Sequence, residues 1–162
     1  MLKEQIIKWM YASDFQMIDK VNISEINEKD SDGRTLLMLA VLALVPNVKM
    51  VQLLLSKNID INDHDKEQKW TALHFASRDQ KSDVVEVLIK NNATIDPVDI
   101  FGNTPLWRAV MTAQEDLRVI KLLLSAGADK NKKNSTNASP FDIAQRRGRE
   151  DIIKILNDDK SL

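Results

Sequence analysis

Four segments of the chain share one pattern, and their spacing limits the possible folds more than any other feature. Thr35-Leu36-Leu37-Met38-Leu39-Ala40 aligns with Thr71-Ala72-Leu73-His74-Phe75-Ala76, with Thr104-Pro105-Leu106-Trp107-Arg108-Ala109 and with Ser139-Pro140-Phe141-Asp142-Ile143-Ala144. Successive copies start 36, 33 and 35 residues apart. A second apolar segment follows each copy: VKMVQLLLSKN, SDVVEVLIKNN, LRVIKLLLSAG and EDIIKILND. The connectors IDIN (59–62), ATID (93–96) and ADKN (128–131) join one copy to the next. A unit this short cannot bury its apolar face alone, so the units must stack.

Each conserved offset within the array has a local reason. The Thr or Ser suits a helix start, where its hydroxyl accepts a hydrogen bond from an otherwise unpaired backbone N–H. Pro105 and Pro140 fall at the first helical position, where no N–H is needed. Alanine five residues on keeps one helix face slim enough for a close neighbour. The second segments carry apolar residues at helical spacing, as in Val84, Val87 and Leu88, which predicts amphipathic helices. Gly127 suits a left-handed helix stop, and Asn58 and Asn92 fill the same place in two other copies.

These residues resemble the ankyrin repeat, whose T-P-L-H-x-A signature and length near 33 they follow. The resemblance covers residues 30–158 and implies an all-α solenoid of stacked helix-turn-helix units with short finger loops. The expected repeats are 30–62, 63–96, 97–131 and 132–158, in a single domain with a tail at 159–162. Residues 1–29 read as a degenerate N-terminal cap in which IIKWMYASDFQMIDKV forms helix, Ala-Ser-Asp turn and helix. The first and third full repeats carry two extra residues between their helices, around Pro46 and Gln114, and the second has one extra before Trp70.

Composition narrows the function. With 23 basic and 24 acidic residues the formal net charge is -1, against a protein built mainly to hold nucleic acid. The absence of cysteine excludes disulfides, thiolate zinc sites and cysteine nucleophiles. The start, MLKEQIIKWM, does not resemble a secretory signal, and the longest apolar run, Leu36 to Val45, is too short to cross a bilayer. A cytoplasmic protein is expected. No phosphate-binding glycine loop or dinucleotide fingerprint is present, and two histidines supply a nucleophile–base pair poorly, so no enzyme and no cofactor is expected.

The resemblance assigns His74 to tying adjacent turns together by hydrogen bonds. His64 lies among Asp60, Asp63, Asp65 and Glu67, but the mid-loop glycine of a calcium loop is missing, so a solvated acidic finger is expected and no metal. Lys130, Lys132, Lys133, Arg146, Arg147 and Arg149 form a basic end interleaved with acids. Trp107, in the histidine position, is expected to pack between units. Arg108 either reaches the groove or pairs with a neighbouring acid.

The resemblance also implies a concave side lined by fingers and first helices, where partners dock. By register the fingertips are Ser31, Asp32 and Arg34; Lys66, Glu67 and Trp70; Ile100, Phe101 and Asn103; and Ser135, Thr136 and Ala138. The helix positions are Leu42 and Ala43, Arg78 and Asp79, Met111 and Thr112, and Arg146 and Arg147. The candidate partner-binding residues are Arg34, Leu42, Lys66, Glu67, Trp70, Arg78, Asp79, Ile100, Phe101, Asn103 and Met111. Trp70, Ile100, Phe101, Leu42 and Met111 would face the groove as an apolar contact surface; the alternative folds Trp70 onto its own finger and plugs Phe101 into the neighbouring unit. Helix 36–45, apolar all round, adds to the contact reading. GNTPLWRAV, LLLSAGADKNKKN and SPFDIA resemble small bacterial ankyrin immunity proteins. That resemblance implies binding of a toxin domain encoded by the adjacent gene, with the acidic finger Asp60 to Glu67 against a basic cleft; a monomer is expected before the complex forms. A scaffold or host-directed effector is the alternative.

Overall fold

A computed structural model describes residues 3–44 and 47–158. Eleven helices and one isolated bridge, His64 to Thr71, are the regular structure among the described residues. The chain divides into two compact units, Met1–Ala72 and Leu73–Leu162.

In the first unit α1 (Lys3–Tyr11) and α2 (Phe15–Asp19) form a pair, followed by the single turn α3 (Ile23–Ile26) and the pair α4 (Leu36–Leu42) and α5 (Val48–Ser56). First helix packs on first helix, α1 on α4, and second on second, α2 on α5. The first helix pair thus packs on the second as one hairpin on the next. Its turn places Ser13 at φ 55, and the Asp14 carboxylate accepts the Met17 N–H at 3.2 Å. Ile6, Met10, Ile18, Leu37, Met38 and Leu54 fill the core.

Helix α6 (Ala72–Arg78) starts at the boundary, and the second unit continues with α7 (Ser82–Lys90), α8 (Pro105–Thr112), α9 (Arg118–Ser125), α10 (Pro140–Arg146) and α11 (Glu150–Asn157). The same register holds here: α8 packs on α10 and α7 on α9, while α8–α9 and α10–α11 are the hairpins. The signature alanines Ala109 and Ala144 are wholly buried, which is the slim contact their size permits.

The local signals act as their chemistry dictates. Thr35, Thr104 and Ser139 accept the N–H groups of Met38, Trp107 and Asp142, and Ser139 with Asp142 completes a reciprocal capping box. Asn58, Asn92 and Gly127 take φ of 55, 63 and 88, the left-handed stop expected of them. Residues 43–47 and 113–117 link the hairpins of the two longer repeats, against 79–81 and 147–149 in the other two. Pro46 itself and the tail 159–162 lie outside the described residues.

Helix 36–45 needs a correction. It ends at Leu42, and every residue from Leu36 to Val41 is buried, with α1 and α5 packed against it. Its apolarity up to Val41 serves the core of the first unit; Leu42 is half-buried, and Leu44, past the helix end, is fully exposed.

Candidate functional site: fingers and inner-helix ends

Each finger is organised by one side chain at its base. Asp30, Asp99 and Asn134 turn an oxygen onto the backbone N–H groups two and four residues on: Asp32 and Arg34, Phe101 and Asn103, Thr136 and Ala138, at 2.7–3.0 Å. Backbone bonds from Asp30 to Arg34, Asp99 to Asn103 and Asn134 to Ala138 close the loops. The second finger has one residue more. Asp65 therefore reaches the N–H groups of Gln68 and Trp70, and Lys69 takes the surplus turn at φ 56.

This scaffold separates two kinds of position that register counting treats as one. The residue two past the base points out. The residue just before the helix cap has its N–H and C=O both tied to the base residue, which leaves its side chain facing inward. Trp70 occupies that second position and is 6% exposed, so its assignment as a groove anchor is corrected. Asn103 occupies it too and is 4% exposed. Its amide bonds Asp99 Oδ2, its Oδ1 accepts from Asn134 Nδ2 at 2.7 Å, and its carbonyl lies 3.1 Å from His74 Nε2. Asn103 is a staple between fingers, and His74 is the structural histidine that the resemblance implies. Arg34, at the same position, is half-buried and paired with Asp32 at 3.0 Å.

The acidic finger also shrinks as a partner surface. Asp65 is buried in its structural role, and Asp63 is paired with Lys29 at 2.6 Å. Asp60, His64, Lys66 and Glu67 remain exposed. Among the described residues no cluster of His, Asp and Glu is arranged to hold a metal ion.

The third finger is different in kind. Val98, Ile100 and Phe101 are 45%, 49% and 49% exposed, where the other fingertips carry Ser31, Asp32, Lys66, Glu67, Ser135 and Thr136. Val98 is a contribution the register reading missed, because it precedes the finger's base. Phe101's backbone is nevertheless fixed: its N–H bonds Asp99 and its carbonyl accepts the Ser135 N–H at 2.8 Å. Gly102 permits this approach with φ 77; a Cβ there would sit 3.1 Å from Asn134 Cα and Ser135 N. On the inner helices Met111 is 41% exposed at the end of α8. Thr112 Oγ1 donates to the Arg78 carbonyl at 2.7 Å and Arg147 Nη1 lies 3.8 Å from Met111 Sδ, so the ends of α6, α8 and α10 adjoin.

Residues 3–99 match the family model for ankyrin repeats in three copies, and residues 101–135 match the model for one ankyrin repeat. The chain belongs to the ankyrin-repeat family. It is similar to the mouse ankyrin repeat and SAM domain-containing protein 6, 27% identical over 90% of this chain and 17% of that protein. It is also similar to the glycerophosphocholine phosphodiesterase GDE1 of Candida albicans, 32% identical over 75% of the chain and 10% of the relative. A putative ankyrin repeat protein of fowlpox virus is 29% identical over 82% of the chain and 40% of its own length. The chain thus spans far less than two thirds of these relatives.

Within the ankyrin fold the charged groups of the second unit are largely consumed. Burial pushes the Asp99 carboxyl up, but the Arg108 guanidinium and the N–H groups of Asn103 and Phe101 outweigh it and hold the pKa below the usual value. Arg108, the residue with two sequence readings, is therefore the partner of Asp99, its guanidinium 5.3 Å from the Trp107 ring centre. Lys133 and Ser139 hold Asp142 well below the ordinary carboxylate range. Burial raises Asp96. An open cleft of about 980 Å³ runs along the hairpin turns, lined by Arg78, Asp79, Gln80, Thr112, Gln114, Glu115, Asp116, Arg149 and Asp151. Its arginines are spent on Asp79 and on Asp151, which Arg149 holds at about 2. Among the described residues no helix is long and apolar enough to cross a membrane.

Proposed function

We propose that the chain binds a protein partner through the apolar third finger and the inner-helix end at Met111, without catalysing a reaction. The observation that carries this is the exposure of Ile100, Phe101 and Met111 at 49%, 49% and 41% on backbone that is already hydrogen-bonded in place. Exposed apolar groups clustered on one rigid loop favour a contact surface, and an aromatic ring is a typical anchor. Arg78 and Asp79, at the end of the neighbouring inner helix, belong to its polar surroundings.

In its finer form the partner is a toxin domain encoded by the adjacent gene, neutralised in the cytoplasm. The support for that form is the resemblance of residues 102–144 to bacterial immunity proteins. A scaffold or host-directed effector would use the same surface. Co-purification with the product of the adjacent reading frame, followed by growth rescue, tests it. A stable complex, rescue by the chain and loss of rescue on Phe101→Asp are expected; the absence of a complex removes the toxin form.

A further inference from the structure

The inner helices and the outer helices of the second unit differ in their charge. α7, α9 and α11 mix acids (Asp83, Glu86, Glu150, Asp151) with bases (Lys90, Arg118, Lys121, Lys154). α6, α8 and α10, each with the residue that follows it, carry Arg78, Arg108, Arg146 and Arg147 against Asp79 and Asp142. Pairing sharpens the contrast. Asp142 is taken by Lys133 and Ser139, Asp99 by Arg108 and backbone N–H groups, and Asp79 by Arg78 and Lys81. Arg146 and Arg147 are exposed and make no ion pair among the described residues, Glu150 included. Arg147 instead rests against the exposed sulfur of Met111. On the inner helices themselves the charge left over is positive, and at Arg147 it borders an apolar side chain; the exposed Glu115 lies beyond them, in the hairpin turn after α8.

We infer that the partner presents an acidic segment here, with an apolar side chain on Met111 and carboxylates on Arg146 and Arg147. A guanidinium fork matches a carboxylate in two parallel hydrogen bonds, and a methionine adapts to the apolar shape placed on it. A basic segment would meet two unmatched cations and be repelled. A phosphate backbone would satisfy the arginines but leave Met111 uncovered. This inference rests on the binding reading above and names the partner's chemistry.

The test is selection of a random-peptide phage library on the full chain, on Arg146→Glu/Arg147→Glu, on Met111→Ala and on the outer-helix control Lys121→Glu. Circular dichroism melts confirm that each variant folds. The wild-type chain should enrich peptides with Asp or Glu flanking Leu, Ile, Met or Phe. A synthetic copy of the leading peptide should bind about tenfold more weakly to the double arginine variant and to the wild type at high salt. Lys121→Glu should leave its affinity unchanged. Apolar peptides without acidic flanks, weakened by Met111→Ala but not by charge reversal, would overturn the acidic partner and leave the binding surface standing. Peptides indifferent to Met111→Ala, or no enrichment at all, would overturn the acidic partner. Displacement of the peptide by single-stranded DNA at lower concentration than by its own acidic competitor would do so as well.

Discussion

The second and third fingers stand on the same kind of residue, a buried aspartate, and send an aromatic ring in opposite directions. In the finger of residues 65–70 the ring is Trp70, 6% exposed; in that of residues 99–103 it is Phe101, 49% exposed. Hydrophobicity does not separate them, since the larger apolar surface is the hidden one. What separates them is distance from the aspartate. Phe101 is two residues past Asp99 and sits at the tip. Trp70 is the residue before the helix cap, held by Asp65 through its N–H at 2.9 Å. An aromatic residue in these two fingers is thus exposed or buried according to which hydrogen bond fixes its backbone.

The largest expected effect that tests this contrast is on Trp70. Trp70→Ala should cost about 3–5 kcal/mol in chemical denaturation, the price of a cavity. Next is Asp99→Asn, which removes the negative charge facing the Arg108 guanidinium and should cost about 3 kcal/mol near neutral pH. Because the folded Asp99 pKa lies below the ordinary value of 3.8, its contribution is present above that value and fades as pH falls through the folded pKa. The variant's stability should therefore decline less steeply on acidification than the wild type's.

A smaller pair of effects opposes the two loops at their left-handed residue. Gly102→Ala should destabilise by about 2 kcal/mol, from the positive φ and the contact with the Asn134 backbone. Lys69→Gly, which relieves a side chain at φ 56, should stabilise by about 1 kcal/mol. Phe101→Ala comes last, changing stability by less than about 0.5 kcal/mol while weakening partner binding by about 2 kcal/mol. Equal stability losses for Trp70→Ala and Phe101→Ala would break the comparison.

The repeat period, the Thr and Ser caps and the Asn and Gly stops are legible in the sequence, because each depends on neighbours at a fixed offset; the role of His74 comes from the resemblance to the ankyrin repeat. Trp70 and Asn103 are not legible in that way. Their register beside the fingertip is correct, but their direction depends on a hydrogen bond running back to the finger's base, which residue spacing alone does not reveal. The inserted Lys69 hides that bond further by shifting it one residue along. Helix α4 misled for a related reason. Its apolar circumference suggests a free face, yet α1 and α5 cover it, and α1 belongs to a unit without the Thr-Pro signature.

The bond from Ser135 to the Phe101 carbonyl has a consequence for the speed and cost of recognition. A side chain mounted on pinned main chain would surrender little conformational freedom on capture, so the entropic toll of any docking there would fall chiefly on whatever arrives. The Ser135 amide should accordingly exchange its hydrogen with heavy water slowly even before any partner is present.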